Sequence, residues 1–538
     1  SSQAGAKGSG QEDDEDLEDG FSELETPLVA SEDENDDAVS AKSEISDEAD
    51  ANDPEAVGDG DKKIPKHELS ALNKVVIGVH PPASMNSALD KWVEDGNEIT
   101  KSDVALTMLY LRRRRMFIKA LQLTEWLESK KHLEMSETNY ASHLDFVAKV
   151  CGINKAEEYM KRIPESFMGE VVYRTFLANC VASTNVKKAE EIFNKMRGLD
   201  VPISCFSCNQ MLLLCKRTDK KKIADVLLLM EKEQVKPSLF TYQILIDVKG
   251  QSKDINGMEQ IFETMKAEGI NPSTEIRASL ARHYANSGFK DKAEKILKEL
   301  EGDDLKKNRW ACRLLLPIYA SLGRDDEVGR IWEVCESDPR LEECVAAIEA
   351  WGQLNKIENS EAAFEEVLKK VKRKPSAKHF NVLLKVYANH KMLTKGKDLV
   401  KRMADLGCSI GPMTWDGLVK LYVGAGEVEK ADSILERAIK QKTGRPLFSS
   451  FLLILDKYGQ RGDIHNAEKI YLMMKQAGYP VKLRQYQSLL QAYVNAKVPA
   501  YGFVDRMRGD NLFPNKLVAA QLAQADAFRK SPFSELME

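Results

Sequence analysis

A chain of 538 residues is longer than one hydrophobic core usually serves, so several domains or a repeat array are expected. It is 43% apolar and 30% charged but only 7% aromatic, a balance that suits many amphipathic helices better than one globule, and no run of about 20 apolar residues offers a membrane span. The net charge of −6 is unevenly placed: residues 1–61 hold 22 acidic side chains against Lys7 and Lys42, and the remainder holds 76 basic and 62 acidic ones.

The chain opens at Ser1 rather than methionine, so a removed targeting segment is expected ahead of it. Residues 1–63, with EDDEDLED and SEDENDDAVS, bury too little apolar surface to offset about 1–2 kcal/mol per residue of backbone ordering, and read as a disordered acidic tail. Two roles stay open for it: a solubilising leader, or an interaction tail that masks basic surface or recruits a basic partner. Residues 64–101 read as an N-terminal helical extension.

From residue 102 the sequence repeats. VVYRTFLANCVASTNVKKAEEIFNKM (171–196), FTYQILIDVKGQSKDINGMEQIFETM (240–265), MTWDGLVKLYVGAGEVEKADSILERA (413–438) and SSFLLILDKYGQRGDIHNAEKIYLMM (449–474) align in one frame. An aromatic stands near each start, at Tyr173, Tyr242, Trp415 and Phe451; sixteen residues later come Ala189, Met258, Ala431 and Ala467. The frame places unit starts near 102, 138, 171, 206, 240, 275, 310, 342, 378, 413, 449 and 484, a period close to 35. Within a unit, apolar residues recur at helical spacing in two stripes separated by a polar turn such as Gly424-Ala425-Gly426, and prolines end many units, as in VKPS (235–238) and INPS (270–273). One hairpin cannot bury its stripe alone, so neighbours must stack. The expected fold is all-α, an α-solenoid superhelix of about twelve helix-turn-helix repeats over 102–515. Residues 516–538 read as a C-terminal capping helix (Lys516–Lys530) and tail, and the first unit carries Arg112-Arg113-Arg114-Arg115 in place of its turn.

Little else suggests chemistry. Cys205-x-x-Cys208 with Cys215 lacks the second pair that zinc requires, and its helical placement reads as buried thiols; nine scattered cysteines suit a reducing compartment. The histidines do not pair at metal spacings, Glu190-Glu191 and Glu365-Glu366 read as solvated charges, and Met196, Met265, Met403 and Met474 fall at one repeat position and read as core. No phosphate loop or nucleophile elbow occurs. Neither a catalytic site nor a cofactor or metal site is expected; the Arg112–Arg115 run reads as a phosphate grip, or else as a solvated end of the first helix or a patch that docks acidic protein, this chain's own tail included.

The units show an aromatic, a polar residue and then a Leu-Leu or Leu-Ile pair, as in HFNVLL (379–384) and TYQILI (241–246), without the W-x₂-L-G-x₂-Y run of tetratricopeptide repeats. With the 35-residue period and the I/V-x-P-S loop, the chain resembles the P-type pentatricopeptide repeat (PPR) family of plant organelles over roughly 102–515. The stretch LRRRRMFIKALQLTEWLES (111–129) with NYASHLDFVAKVCGINKAEEYM (139–160) resembles a mitochondrial subgroup. The resemblance implies a mitochondrial (matrix) address rather than a plastid one, RNA as partner and no enzyme activity; no zinc-deaminase signature is present.

In such arrays one base per repeat is read by side chains of the first helix. Carried over, the reading position falls on Ala141, Arg174, Asn209, Gln243, Ala278, Arg313, Val345, Asn381, Asp416, Leu452 and Gln487, with Ser238 the second reader beside Asn209. Only Asn209 and Asn381 are the usual type, and Ala, Val and Leu cannot hydrogen-bond a base edge. The resemblance therefore implies binding of structured RNA by shape and charge, with Arg112–Arg115, Arg174, Asn209, Ser238, Gln243, Arg313 and Asn381 as candidate contacts. A component of the mitochondrial ribosome, with ribosomal RNA and ribosomal proteins as partners, is the leading expectation; a transcript-specific stability, splicing or processing factor and a protein scaffold are the alternatives.

Overall fold

A computed structural model describes residues 71–79, 84–130, 135–199, 201–302, 304–371, 375–440, 446–479 and 481–528. The acidic tail (1–63) and the last residues, beyond Phe528, lie outside the described residues. Every regular element among those described is helical. The chain divides into two compact units between Ser279 and Leu280.

In the first unit, α1 (Ala71–Gly78) and α2 (Met85–Glu94) precede five helical hairpins: α3 (Lys101–Arg113) with α4 (Phe117–Lys130), α5 (Glu137–Cys151) with α6 (Ile153–Met160), α7 (Glu170–Ala182) with α8 (Val186–Gly198), α9 (Cys205–Arg217) with α10 (Ile223–Lys232), and α11 (Leu239–Gln251) with α12 (Ile255–Ala267). The boundary falls inside α13 (Thr274–Asn286). The second unit continues with α14 (Lys290–Glu301), then α15 (Cys312–Ser321) with α16 (Asp325–Glu336), α17 (Leu341–Gln353) with α18 (Ile357–Lys370), and α19 (Ala377–Asn389) with α20 (Leu393–Asp405). It ends in α21 (Pro412–Gly424) with α22 (Val428–Lys440), α23 (Phe448–Arg461) with α24 (Ile464–Gln476), α25 (Leu483–Ala496) with α26 (Phe503–Gly509), and a last helix, α27 (Lys516–Asp526).

The hairpin has a local cause. First helices often open on a Ser or Thr cap: Thr100, Ser136, Ser204 and Ser238 each accept a hydrogen bond from the amide three residues on. They stop at a residue with left-handed backbone: Arg115, Thr184, Lys253, Gly288, Gly323, Asn355, Lys391, Gly426, Gly462 or Lys497. The second helix starts at once, capped by Asn185, Asp254 or Asp463 in three hairpins. Early in that helix a small buried side chain lets the two backbones approach: Ala120, Ala156, Ala189, Ala293, Ser360, Gly396, Ala431 and Ala467. At Ser360 the approach is close enough for the hydroxyl to donate to the Ile348 carbonyl across the hairpin, at 3.1 Å. One turn later large apolar groups fill the layer, Phe193, Phe364, Leu435 and Tyr471 among them, and Met196, Met265, Met403 and Met474 close it with no exposed surface.

Neighbouring hairpins in the second unit are also pinned by a recurring polar contact. Tyr387 Oη donates to Glu361 at 2.8 Å, Tyr458 to Asp432 at 3.4 Å and Tyr493 to Glu468 at 2.9 Å, each tyrosine on a first helix and each carboxylate on the preceding second helix. Burial, reinforced by the carboxylates, pushes the Tyr458 and Tyr493 hydroxyls up to about 12, so they remain donors. At the C-terminal end Arg506 forms a two-pronged pair with Glu468, at 2.8 and 2.9 Å, and lies 4.4 Å from the Tyr471 ring centroid.

The turn makes a clean prediction. A Cβ at Gly426 would meet nothing within 4 Å, so Gly426→Ala tests the left-handed backbone alone and should cost roughly 1–2 kcal/mol in chemical denaturation. Lys253→Gly, at the corresponding and exposed position, should gain stability on the order of 1 kcal/mol.

Candidate nucleic-acid interface

The first helices carry the residues proposed to meet a ligand, and the structure places them unevenly. The arginine run does not form one patch. Arg112 is 6% exposed at the end of α3; its Nε lies 3.5 Å from Asp145 and its guanidinium 4.8 Å from the Phe146 centroid. Arg113 is exposed on the last helical turn, Arg114 lies 5.7 Å from the Tyr110 ring, and Arg115 is the exposed left-handed turn residue.

Asp145, almost fully buried, also takes Lys149 Nζ at 2.9 Å and Asn179 Nδ2 at 2.9 Å. Burial alone would raise its carboxyl; Lys149, Arg112 and the Asn179 donor outweigh that and hold it below the usual carboxylate range. Arg174 pairs with Glu170 at 3.3 Å and its guanidinium lies 5.6 Å from the Phe206 centroid, the flat face where a base would otherwise stack. Arg313 stands 3.6 Å from Glu342.

The two asparagines share a geometry. Asn209 is fully buried; its Oδ1 accepts from Thr241 Oγ1 at 2.7 Å and its Nδ2 donates to Ser238 Oγ at 3.2 Å. Asn209 and Ser238 thus come together, but bonded to each other. Asn381 Oδ1 accepts from Thr414 Oγ1 at 2.8 Å, and Asp416 at the same repeat position accepts from Ser449 and Ser450 at 3.0 and 2.7 Å. Gln243 lies half-buried on α11.

A second rung was missed in the sequence. Asp247 accepts from Ser279 and pairs with Lys216 at 3.0 Å; Asp456 accepts from Ser488 and pairs with Arg484 at 2.8 Å. Asp145, Asp247 and Asp456 all stand seven residues after a unit start, and that coincidence was the available signal. The acidic pairs lie on exposed faces and also reach across the seam: Glu190 binds Lys222 at 2.6 Å, and Glu365 binds Arg402 at 2.5 and 3.0 Å, both between successive hairpins. Cys208 and Cys215 are buried, and burial pushes the Cys208 thiol up to about 12. No cluster of three metal-ligating side chains occurs, and no helix is long and apolar enough to cross a membrane, among the described residues.

These features define an α-helical hairpin-repeat protein whose polar first-helix residues link successive repeats. Residues 160–363 match the model of the pentacotripeptide-repeat region of PRORP, and 378–408 and 449–479 match the PPR repeat. A mitochondrial pentatricopeptide repeat-containing protein of Arabidopsis thaliana is 56% identical over 480 residues, 89% of this chain and 80% of the relative; another from the same plant is 48% identical over 480 residues, 89% and 78%. The pentatricopeptide repeat protein PPR10 of maize, solved with an 18-nucleotide psaJ RNA element, is 18% identical with a TM-score of 0.41, covering 86% of this chain and 75% of that one. The chain belongs to the pentatricopeptide repeat family, and it is a mitochondrial member.

The buried charge cluster is testable. Asp145→Asn leaves Arg112 buried without its counter-charge and should cost about 3–5 kcal/mol in denaturant titrations. Because the folded carboxyl is depressed, its contribution is complete above the unfolded value near 4 and fades as pH falls through the lower folded value. Wild type should therefore lose stability more steeply than Asp145→Asn below about pH 4.

Proposed function

We propose that this chain is a non-catalytic RNA-binding protein of the mitochondrion that holds structured RNA by backbone shape and charge, as a component of the mitochondrial ribosome. One observation carries the reading: most of the polar side chains at the proposed base-reading positions are engaged within the protein. Asn209 is closed by Ser238 and Thr241, Asn381 by Thr414, Arg174 by Glu170 and Arg313 by Glu342. Reading a base edge at any of them means breaking a hydrogen bond or an ion pair, with little net gain per contact. Phosphate contacts from exposed basic side chains such as Arg115 carry no sequence information. Membership of the pentatricopeptide repeat family, a class of repeat that reads RNA, supports RNA as the ligand. Ribosomal RNA and ribosomal proteins are the partners this mode of binding suits.

Crosslinking in intact mitochondria followed by sequencing of the bound RNA decides it. Reads concentrated on ribosomal RNA are expected; one discrete messenger footprint would establish a transcript-specific factor instead. In vitro, log K against log salt should be steep, and Arg113→Glu with Arg115→Glu should flatten the slope by about 2 while weakening all sequences alike.

A further inference from the structure

The hairpin α9–α10 breaks the repeat in two ways at once. Its turn lacks the left-handed residue: Asp219, thirteen residues into the unit, has φ −140°, and a 3₁₀ turn (Lys220–Lys222) leads into α10. The turn is one residue short, so Ile223 occupies the place that Ala189 fills in the preceding hairpin, as Met230 matches Met196. Leu228, which in the unbroken frame would lie with Phe193 in the core, is 63% exposed.

Beside this fault a groove of about 480 Å³ opens between α8, α9 and α10, with Phe193, Met211, Val226 and Leu228 among its apolar walls. That size lies within the range of specific ligand sites. Arg197, Lys222 and Lys232 stand at its mouth against Glu190 and Asp225, and the exposed Lys220 and Lys221 adjoin it. An apolar slot with a basic fringe suits an acidic amphipathic segment. It does not suit RNA, whose phosphates gain nothing from apolar walls.

The same chain contains such a segment. Residues 12–26, EDDEDLEDGFSELET, carry nine acidic side chains and no basic one. Leu17, Phe21 and Leu24 follow the i, i+4, i+7 spacing that places three anchors on one helical face, and Pro27 sets its end. From residue 26 to the first described residue, Ala71, the intervening chain has a root-mean-square span of roughly 40 Å and can extend much further. Tethering makes docking intramolecular, with an effective concentration on the order of millimolar.

We propose that residues 12–26 dock as an acidic amphipathic helix in the α8–α9–α10 groove, Leu17, Phe21 and Leu24 against its apolar walls and the acidic face toward Arg197, Lys232 and the exposed Lys220 and Lys221. The acidic tail is then a built-in occupant of this second-helix surface. A partner protein with the same acidic, three-anchor pattern would have to displace it.

The test uses the full chain with a photo-crosslinking p-benzoylphenylalanine in place of Leu228. Trypsin cuts after Lys7 and Lys42 and nowhere between, so all three anchors travel on one fragment, 8–42. Irradiation at low protein concentration should join that fragment to α10 within a single chain. Phe21→Ser with Leu24→Ser should reduce the crosslink by at least ~10-fold. No crosslink to residues 8–42, a crosslink only between two chains, or a yield indifferent to the serine changes would each overturn the proposal.

Discussion

Everything in this molecule depends on how tightly one helix can reverse into the next. Between first and second helices most hairpins have two or three residues in which to turn through nearly half a circle, and the two backbones must then lie against each other. The left-handed residue solves the reversal and the small side chain that follows solves the approach. The protein accepts local strain to keep this geometry: Arg115, Thr184, Lys253, Lys391 and Lys497 adopt a conformation that glycine would occupy at less cost. Such strain persists only where stacking over-determines the turn, which is the nearest-neighbour logic of a repeat array.

That logic also decides where polar groups go. A hairpin buries its apolar stripe against its neighbours, so any polar side chain at the seam must find a partner on the next hairpin or be left unsatisfied. Tyr387 with Glu361, Asn209 with Thr241, and Asp145 with Arg112 and Asn179 are solutions to one problem at different depths of the seam. Several of the side chains proposed to read bases, Asn209, Asn381 and Arg174 among them, are thereby drawn into the scaffold.

The fold class was legible because it rests on period and side-chain size, both properties of a single chain read in order. Ala189, Ala431 and Ala467 recur with the period, and so do Met196, Met265 and Met474. The fate of the polar candidates was not legible. Asn209 and Gln243 stand at the same place in adjacent repeats, yet one is sealed and the other half-buried, because only Asn209 has a Ser-x-x-Thr cap, Ser238 and Thr241, directly across the seam. Arg112 differs from Arg113 by one position on a helix and by the presence of Asp145 on the next. Pairing across a seam joins residues 25 to 38 apart, and no pattern within one repeat reports it.

The fault at α9–α10 shows what a break in period means physically. Dropping one turn residue moves the sequence of the second helix one place along an unchanged seam, so Ile223 takes the place that Ala189 fills and Met230 that of Met196. Leu228 then falls where Asn194 stands in the preceding hairpin and is exposed, beside an open groove. Neighbours stacked on either side hold the hairpin despite the change. Stacking therefore lets one repeat depart from the rule that built the rest, and it is at such departures, not along the regular array, that a surface with its own chemistry can arise.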